Sequence, residues 1–329
     1  MHTNESGSEN TRKSVSIIVP AWNAEATLRQ VLEPLLPLPD NWDIVVVDDH
    51  STDETVAIAQ SLGVRVVPSN WHRSSLKARN TGVALSRGNI LVFIDADIVT
   101  CIDDLRRGIE RLPEDENACL FGVYDRGDHL GNTVSRYKNF WIRHSTLASP
   151  PPLRWLNSSL IIIPRTLLNK SGGFLGNFLC SHGGEDLDLG RRIAEIGGTI
   201  LLDRHLEITH LKHFTLRRLW INDLQRARGW LRHSLAIKGW ASVIRSPSLA
   251  NVSPDFSWAV VATTSAVPTA VLSICWPPFA ILSSASLLGG VLLNFSFLRE
   301  AFMEKIRGRY LFIPLLWLDQ LACGLGICL

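Results

Sequence analysis

Short apolar runs alternate with amphipathic segments over the first 125 residues of the chain. The apolar runs, rich in Val and Ile, predict strands at residues 14–20, 42–49, 64–68, 90–94 and 118–124. Between them, apolar positions at helical spacing predict helices at residues 24–36, 51–63, 75–88 and 102–112. Strands separated by helices of this length predict βαβ crossovers. The fold class is therefore α/β, with a doubly wound, mostly parallel sheet.

Local signals set the ends of two of these helices. Asn23 is a plausible N-cap for the first helix, and Ser51 with Glu54 has the spacing of a capping box for the second. Gly63 suits the end of the second helix.

The pattern changes after residue 124. A helix is predicted over residues 133–149, a strand over residues 157–165 and a helix over residues 185–198. The helical pattern of residues 215–244 is rich in Trp and Arg, and residues 203–245 hold nine Lys or Arg against three Asp or Glu. Helices of this kind commonly lie in the membrane interface. The alternative is a solvated helix whose tryptophans face a core.

The C-terminal part of the chain is a membrane candidate. No Asp, Glu, Lys or Arg occurs from Phe256 to Phe297, a stretch about twice the ~20 residues that one span needs. The WPP at residues 276–278 favours a turn, the basic segment 299–310 follows, and residues 311–329 are again apolar. We expect two or three transmembrane helices, at about 258–276, 279–298 and 311–329. With the catalytic half in the cytoplasm, two crossings return the basic segment there, as the positive-inside rule requires.

The predicted organisation is a disordered lead-in (1–13), a catalytic domain (14–214), basic interfacial helices (215–250) and a transmembrane region (256–329). Asp319 lies in the last apolar helix, where a charge is costly in lipid. It has either a functional role or a polar contact between helices, or its helix is interfacial.

Overall composition adds few constraints. The net charge is +2, so no nucleic-acid partner is predicted, and oligomeric state stays open. Six cysteines without a CxxC pair indicate neither a disulfide framework nor a zinc site, which favours a reducing cytoplasmic setting. The polar N-terminus lacks the apolar region of a signal peptide.

Carboxylates follow two of the predicted buried strands. Asp48 and Asp49 end one strand, and Asp95 and Asp97 end another. In doubly wound sheets ligands bind at the carboxyl ends of the strands, and adjacent carboxylates repel unless a cation or hydrogen-bond donors neutralise them. Mg²⁺ is held by one or two carboxylates plus substrate phosphates, so a diphosphate-bearing ligand is expected. Alternatively, Asp48 and Asp49 only cap the following helix.

Four motifs together resemble the family 2 glycosyltransferases of GT-A fold. They are SIIVPAWNAEATL, VVVDDHSTDET, ARNTGVALSRGNILVFIDAD and GGEDLDLGRRIAEIGG, in the order and spacing of that family. The resemblance covers residues 14–230 and implies a membrane-anchored hexosyltransferase (EC 2.4) that uses a nucleotide sugar with Mg²⁺ or Mn²⁺.

The resemblance also implies roles for individual residues. Asp97 would hold the metal on the diphosphate, and Asp95 would lie near the ribose and the metal. Asp186, beside Glu185, would be the catalytic base. Other implied nucleotide contacts are Pro20, Ala21 and Glu25 beside the nucleotide, Asp48 or Asp49 at the base, and Arg79 and Asn80 lining the pocket.

The sequence leaves alternatives open for the roles of two further residues, His210 and Arg228. His210 either reaches the metal or diphosphate or is a packed histidine. Arg228 lies in LQRARGW, which is similar to the QxxRW element of processive members, but Gly229 separates Arg228 from Trp230. This departure puts a diphosphate contact by Arg228, and processivity, in question.

The predicted reaction is inverting transfer of a sugar from a UDP- or GDP-linked donor. One displacement with one base inverts the anomeric centre. Membrane spans and basic helices favour a lipid or lipid-linked acceptor, with a multi-pass enzyme in the cytoplasmic membrane. Alternatives are a soluble or polysaccharide acceptor, or a non-catalytic nucleotide-sugar-binding protein. A sugar-1-phosphate nucleotidyltransferase is disfavoured because PAWNAEAT lacks a Gly-rich basic loop.

Overall fold

The computed structural model describes residues 13–72, 74–175, 184–245 and 252–328. The strands are β1 Val15–Ala21, β2 Trp42–Asp48, β3 Arg65–Pro68, β4 Ile90–Ile94, β5 Ile98–Val99, β6 Ala118–Tyr124, β7 Leu160–Pro164 and β8 Thr199–His210. The helices of the first part are α1 Leu28–Leu32, α2 Thr55–Ser61, α3 Ser75–Leu85, α4 Ile102–Glu110, α5 Thr133–Leu147, α6 Arg165–Lys170 and α7 Glu185–Glu195. Those that follow are α8 Leu216–Arg245, α9 Pro254–Leu272, α10 Pro278–Leu292, α11 Phe295–Met303 and α12 Phe312–Cys328.

These strands form one sheet in the order β3-β2-β1-β4-β7-β6-β8-β5. The pairs β3–β2, β2–β1, β1–β4 and β6–β8 are parallel, whereas β7 is antiparallel to both β4 and β6, and β5 is antiparallel to β8. The predicted mostly parallel sheet is confirmed, with an antiparallel β7 inserted between β4 and β6.

Helices cover both faces of the sheet, so its central strands are buried on both sides. Along β4, Val92 and Ile94 belong to one apolar cluster, whereas Leu91 and Phe93 belong to the other. This is the arrangement expected for a continuous apolar run in a parallel sheet.

Helix α3 lies unusually close to β1. A Cβ placed on Gly82 would come within 2.3 Å of the Ile18 Cγ2 atom. Only glycine permits this approach, and the helix thereby carries Arg79 to the carboxyl end of the sheet.

The predicted helix ends differ from the observed ones in the first two helices. Helix α1 begins at Leu28 after Thr27, while Asn23 adopts a positive φ of 47° and accepts the Thr52 backbone N–H. Helix α2 begins at Thr55, so Ser51 and Glu54 form no capping box; Ser51 instead accepts the Asn23 N–H at 3.0 Å. The two loops therefore bind each other, which single-segment signals do not reveal.

The C-terminal helices pack against the α/β part of the chain. Tyr137 of α5 donates a hydrogen bond to Asp319 of α12 at 2.9 Å, and Lys138 lies 2.5 Å from Asp223 of α8. Asp319 thus makes a polar contact between helices, one of the alternatives left open by the sequence. Residue 319 is almost fully buried.

The described part of the apolar C-terminal region holds one or two helices of membrane length. Among the described residues, Arg309–Cys328 is the one helix long and apolar enough to cross a membrane, and nearly half of it is buried within the chain. The bent pair Pro278–Leu292 and Phe295–Met303, at 55°, counts as a second if it is one broken span. Three separate membrane-length helices are therefore not found in the part of the chain that the structure describes.

Two sequence-based assignments extend past the described residues. They are the lead-in of residues 1–13, of which only residue 13 is described, and the end of the interfacial segment 215–250.

Candidate active site

A cavity of about 290 Å³ lies at the carboxyl end of the sheet, between β4, α7, β8 and α8. Five of the predicted site residues line it: Asp95, Asp97, Glu185, Asp186 and His210. Sequence positions about 115 residues apart therefore meet in one cavity.

The turn after β4 holds its two acids on a fixed backbone. The Asp95 N–H donates to the Ser159 carbonyl at 3.0 Å, and the Ile98 N–H donates back to the Asp95 carbonyl at 3.0 Å. Thr27 donates its hydroxyl to the Ala96 carbonyl at 2.7 Å. This turn is thus tied to the loop after β1 and to the segment before β7.

Asp95 is paired with a buried arginine. Its Oδ1 atom lies 2.6 Å from Nη2 of Arg79, whose side chain is only 2% exposed. Partial burial raises the pKa of Asp95, although the charge of Arg79 opposes the shift. The Arg79 Nη1 atom is 3.9 Å from Glu185, and neither Nη1 nor Nε of Arg79 has a hydrogen-bond partner among the described residues.

Asp97 has a different neighbour. Its Oδ2 atom lies 3.5 Å from Nε2 of His210, and Lys212 contributes positive charge nearby. Burial alone would raise the pKa of Asp97, but His210 and Lys212 outweigh it and lower that pKa. His210 is held in turn by the Tyr124 ring, at 4.7 Å between centroids.

The first turn of α7 supplies the other two acids of the cavity, Glu185 and Asp186. Asp186 lies in the first turn of α7, where its Oδ1 atom accepts the Leu187 N–H at 2.9 Å. Burial and the charge of Glu185 raise the pKa of Asp186 to about 7, although Arg226 opposes the shift. A carboxyl with such a pKa near neutrality is suited to exchange a proton.

A second set of predicted residues lies at the ends of β1 and β2, outside the lining of this cavity. The Asp49 N–H donates to the Ala21 carbonyl at 2.8 Å, and Ala21 is level with Asp48 in the sheet. Asp49 is 3% exposed; its Oδ2 accepts the Ser74 N–H, and its Oδ1 is buried without a hydrogen-bond partner among the described residues. Pro20 lies one position before Ala21 in β1.

Two other predicted residues stabilise loops. Glu25 accepts the Glu54 N–H at 3.2 Å, which joins the loop after β1 to the start of α2. Asn80 exchanges two hydrogen bonds with the Phe174 backbone, so it fixes the segment that follows α6.

Arg228 does not line the cavity, whereas Arg226 does. Two positions along a helix differ by about 200° in direction, so the two side chains leave α8 on nearly opposite sides. The guanidinium of Arg226 stacks over Trp230, with its carbon 4.6 Å from the ring centroid. A diphosphate contact by Arg228 stays a prediction.

Several lining residues were not predicted from the sequence, among them Tyr124, Trp155, Ser158, Ser159, Lys212 and Arg226. Tyr124 ends a predicted strand, so the rule that selected the aspartates could have selected it too. The serines lie just before β7, at the start of the strand predicted over residues 157–165, and no motif marks them as site residues.

The predicted metal ligands form a partial site. Among the residues that the structure describes, no group of three or more His, Cys, Asp or Glu side chains is arranged to hold a metal ion. Asp97 and His210 supply one oxygen and one nitrogen donor within 3.5 Å of each other. Such a pair fits a cation that takes its remaining ligands from substrate phosphates and water.

Comparison with known proteins relates part of this site to a family. Residues 16–175 match the model of Glycosyl transferase family 2. These 160 residues, just under half of the chain, are similar to a family 2 glycosyltransferase domain.

The names of two curated relatives of this chain indicate different acceptors. The chain is 26% identical over 162 residues to an Escherichia coli UDP-Glc:alpha-D-GlcNAc-diphosphoundecaprenol beta-1,3-glucosyltransferase, across 47% of this chain and 62% of that one. It is 35% identical over 96 residues to a glucosyl-3-phosphoglycerate synthase of Mycobacterium tuberculosis, across 26% of this chain and 30% of that one. The chain therefore spans less than two thirds of both curated relatives.

Solved structures confirm the GT-A type fold. A mannosyltransferase from Pyrobaculum calidifontis, in complex with GDP-Man and Mn²⁺, has a TM-score of 0.58 at 18% identity. The match covers 96% of this chain and 87% of that one. Glucosyl-3-phosphoglycerate synthase from Mycobacterium tuberculosis, with Mn²⁺, UDP and product, has a TM-score of 0.50 at 23% identity, over 68% and 80% of the two chains.

Proposed function

We propose that the enzyme transfers a sugar, with inversion, from a UDP- or GDP-linked donor to a lipid or lipid-linked acceptor at a membrane. The observation that carries this proposal is one cavity holding both Asp186, with a pKa of about 7, and the Asp97–His210 pair. Asp186 is suited to take a proton, and the Asp97–His210 pair is suited to hold a cation that binds the donor diphosphate.

The nucleotide half of the donor would lie across the ends of β1, β2 and β4. Asp49 Oδ1 and the Nε and Nη1 atoms of Arg79 are buried polar atoms without hydrogen-bond partners among the described residues. Buried groups of this kind are costly unless a ligand satisfies them. A base N–H would satisfy the carboxylate of Asp49, and donor oxygens would satisfy Arg79. Pro20, Ala21, Asp48, Asn80 and Glu25 would shape the surrounding loops.

The transfer step uses residues of the cavity. The acceptor oxygen attacks the anomeric carbon, the bond from that carbon to the diphosphate breaks, and the acceptor proton passes to Asp186. With a single base and a single displacement, the anomeric centre inverts. Mg²⁺ or Mn²⁺, held by Asp97 and His210 with Asp95 nearby, would supply charge stabilisation for the leaving diphosphate. Arg226 adds positive charge to the same cavity wall.

Two observations support a membrane acceptor. Helices α9 and α10 and the turn between them expose large apolar side chains, including Ile274 and Trp276 of the turn at 83% and 64%. The Escherichia coli relative acts, by its name, on a diphosphoundecaprenol-linked sugar. We extend this to a membrane-bound enzyme whose catalytic part faces the cytoplasm; one or two membrane-length helices, rather than three, would anchor it.

A soluble acceptor is the second candidate. It is favoured by the similarity to glucosyl-3-phosphoglycerate synthase over 96 residues. This match covers 26% of this chain, against 47% for the relative that acts on a lipid-linked sugar.

The experiment that tests the function is a donor screen with the full chain. Radiolabelled UDP- and GDP-sugars are incubated with protein, lipid extract and Mg²⁺ or Mn²⁺, and label is counted in the organic and aqueous phases. We expect label in the lipid phase, abolished by chelation and reduced at least ~100-fold by Asp186→Asn. The exposed Asp103→Asn variant on α4 is the matched control. Label on water-soluble acceptors alone would exclude a lipid acceptor. Donor binding without any turnover would indicate a non-catalytic nucleotide-sugar-binding protein.

The same assay separates the two acids of the turn after β4. Asp97→Asn should abolish the dependence on the metal, whereas Asp95→Asn should lower donor affinity and retain that dependence. Equal effects of the two substitutions would mean that Asp95 and Asp97 act as one undivided acidic patch.

A further inference from the structure

A second cavity, of about 360 Å³, lies among α5, α8, α9 and α12. Its walls are mostly apolar, with Trp141, Ala227, Phe256, Val260 and Ile327 among the lining side chains. A volume of this size falls in the range of pockets that hold small ligands.

This apolar cavity adjoins the active-site cavity. Arg226 and Trp230 line both. The stacked pair of guanidinium and indole therefore forms the boundary between an acidic cavity and an apolar one, and Arg226 is the cation at that boundary.

The other end of the apolar cavity reaches the exposed apolar surface. Trp258, Val261 and Ile327 line it and are 50%, 56% and 41% exposed. They belong to the surface of α9 and α12 that we assign to the membrane. A molecule that enters from the bilayer would thus reach Arg226 without crossing water.

Charged groups in the wall lie close to one another. Lys138 lies 2.5 Å from Asp223 and 3.6 Å from Asp319, and Tyr137 donates to Asp319. One buried cation thus lies between two carboxylates, and apart from this group and Arg226 the wall is mostly apolar.

We propose that this cavity binds the aliphatic chain of the acceptor lipid, with its polar head at Arg226 beside Asp186. A single amphipathic molecule matches both ends: an apolar body for α8 and α9, and a head that the arginine can orient toward the base. The proposal rests on the proposed function for the choice of an acceptor, and it names where that acceptor lies.

Photo-crosslinking in bilayers tests the site. The full chain is placed in phosphatidylcholine nanodiscs with a C15 isoprenyl phosphate that carries a diazirine at its distal end. After irradiation, we expect the label on α8 near Ala227 and Leu231 and on α9 near Val260. Label confined to α10 or to the turn at Trp276 would overturn the proposal, because it would report only surrounding lipid.

A pair of substitutions on α9 sharpens the result. Ser257 lines the cavity, whereas Ala270 is exposed on the same helix outside it. Ser257→Phe should lower the crosslinking yield on α8 at least fivefold, and Ala270→Phe should leave it unchanged. Equal yields in the two variants, with both chains folded by circular dichroism, would also overturn the proposal.

Donor hydrolysis by the wild-type chain in the same nanodiscs tests the proposed function separately from the proposed lipid site. Hydrolysis without label in the cavity would refute the lipid site and leave the glycosyltransferase function intact. Label in the cavity without hydrolysis of any donor would refute the proposed function and retain a lipid-binding site.

Discussion

Two neighbouring acids in this protein have pKa values shifted in opposite directions because their partners differ. Asp95 pairs with the buried Arg79, and Asp97 pairs with His210, although one alanine separates the two in sequence. The opposite directions of their pKa shifts follow from these partners. The sequence predicted that both acids lie at a strand end, and the resemblance to the family divided their roles; only the fold supplies the neighbours.

The pKa of Asp186 leads to a prediction at the scale of the residue. Because a base works in its ionised form and burial beside Glu185 raises this pKa to about 7, transfer at saturating substrate should rise with pH and reach half of its maximum near pH 7. Rates measured from pH 5 to pH 9 check this, with the exposed Glu195→Gln variant of α7 as the control.

The stability of the fold should change with pH in the opposite direction to the transfer rate. A carboxyl whose pKa is raised in the folded state stabilises the fold below its unfolded pKa of about 4, and that stabilisation is lost as pH rises through about 7. Asp186→Asn should therefore raise the melting temperature relative to wild type more at pH 8 than at pH 5. A pH–rate profile that is flat across pH 7, or an equal change in melting temperature at both values, would contradict a base at this position.

At the scale of elements, the C-terminal helices are joined by close contacts between small residues. Gly290 of α10 faces Thr263 of α9, and a Cβ on Gly290 would come within 2.1 Å of the Thr263 Oγ1 atom. Thr263 donates to Gln320 of α12, and Gln320 donates to the Gly290 carbonyl at 3.1 Å. Three helices therefore meet at one buried point, as small residues allow in membrane helices.

Two adjacent glycines give a matched test of this packing. Gly290→Ala should destabilise the protein by about 1–3 kcal/mol, because a buried side chain must shift. At Gly289 the nearest atom to an added Cβ is 4.0 Å away, so Gly289→Ala should be neutral or stabilise by up to about 1 kcal/mol. Thermal unfolding in detergent measures both, and equal effects would show that α9 and α10 do not pack as described.

At the scale of the whole molecule, the catalytic part and the apolar helices are one packed assembly. Helix α5 contacts both, through Tyr137 and Lys138 on one side and the Arg143 bond to the Tyr124 carbonyl on the other. The active site is consequently held at a fixed position relative to the exposed apolar surface of α9 and α10.

That surface leads to a prediction about membrane binding. Trp276→Asp, placed at the exposed turn between α9 and α10, should lower the fraction of protein that floats with phosphatidylcholine vesicles at least fivefold, because a charge at this position is costly in lipid. Ile196→Asp is the control, since Ile196 is 46% exposed at the end of α7 in the catalytic part. Equal flotation of the two variants would contradict insertion of this turn.

The sequence by itself determined the features that depend on neighbouring positions in the chain. The two-sided burial of β4, the acids at strand ends and the uncharged stretch after Asp255 all follow from local pattern, because strand and helix periodicity are properties of short segments. The order of motifs further indicated the family.

Tertiary structure decided what depends on distant segments. The antiparallel β7, the exchange of hydrogen bonds between Asn23 and the loop before α2, and the choice of Arg226 over Arg228 at the cavity each require two or more elements to be placed together. Asp319 is the clearest case. The sequence shows only a charged residue within an apolar helix, whereas the packing of α12 on α5 supplies the lysine and tyrosine that make its burial tolerable.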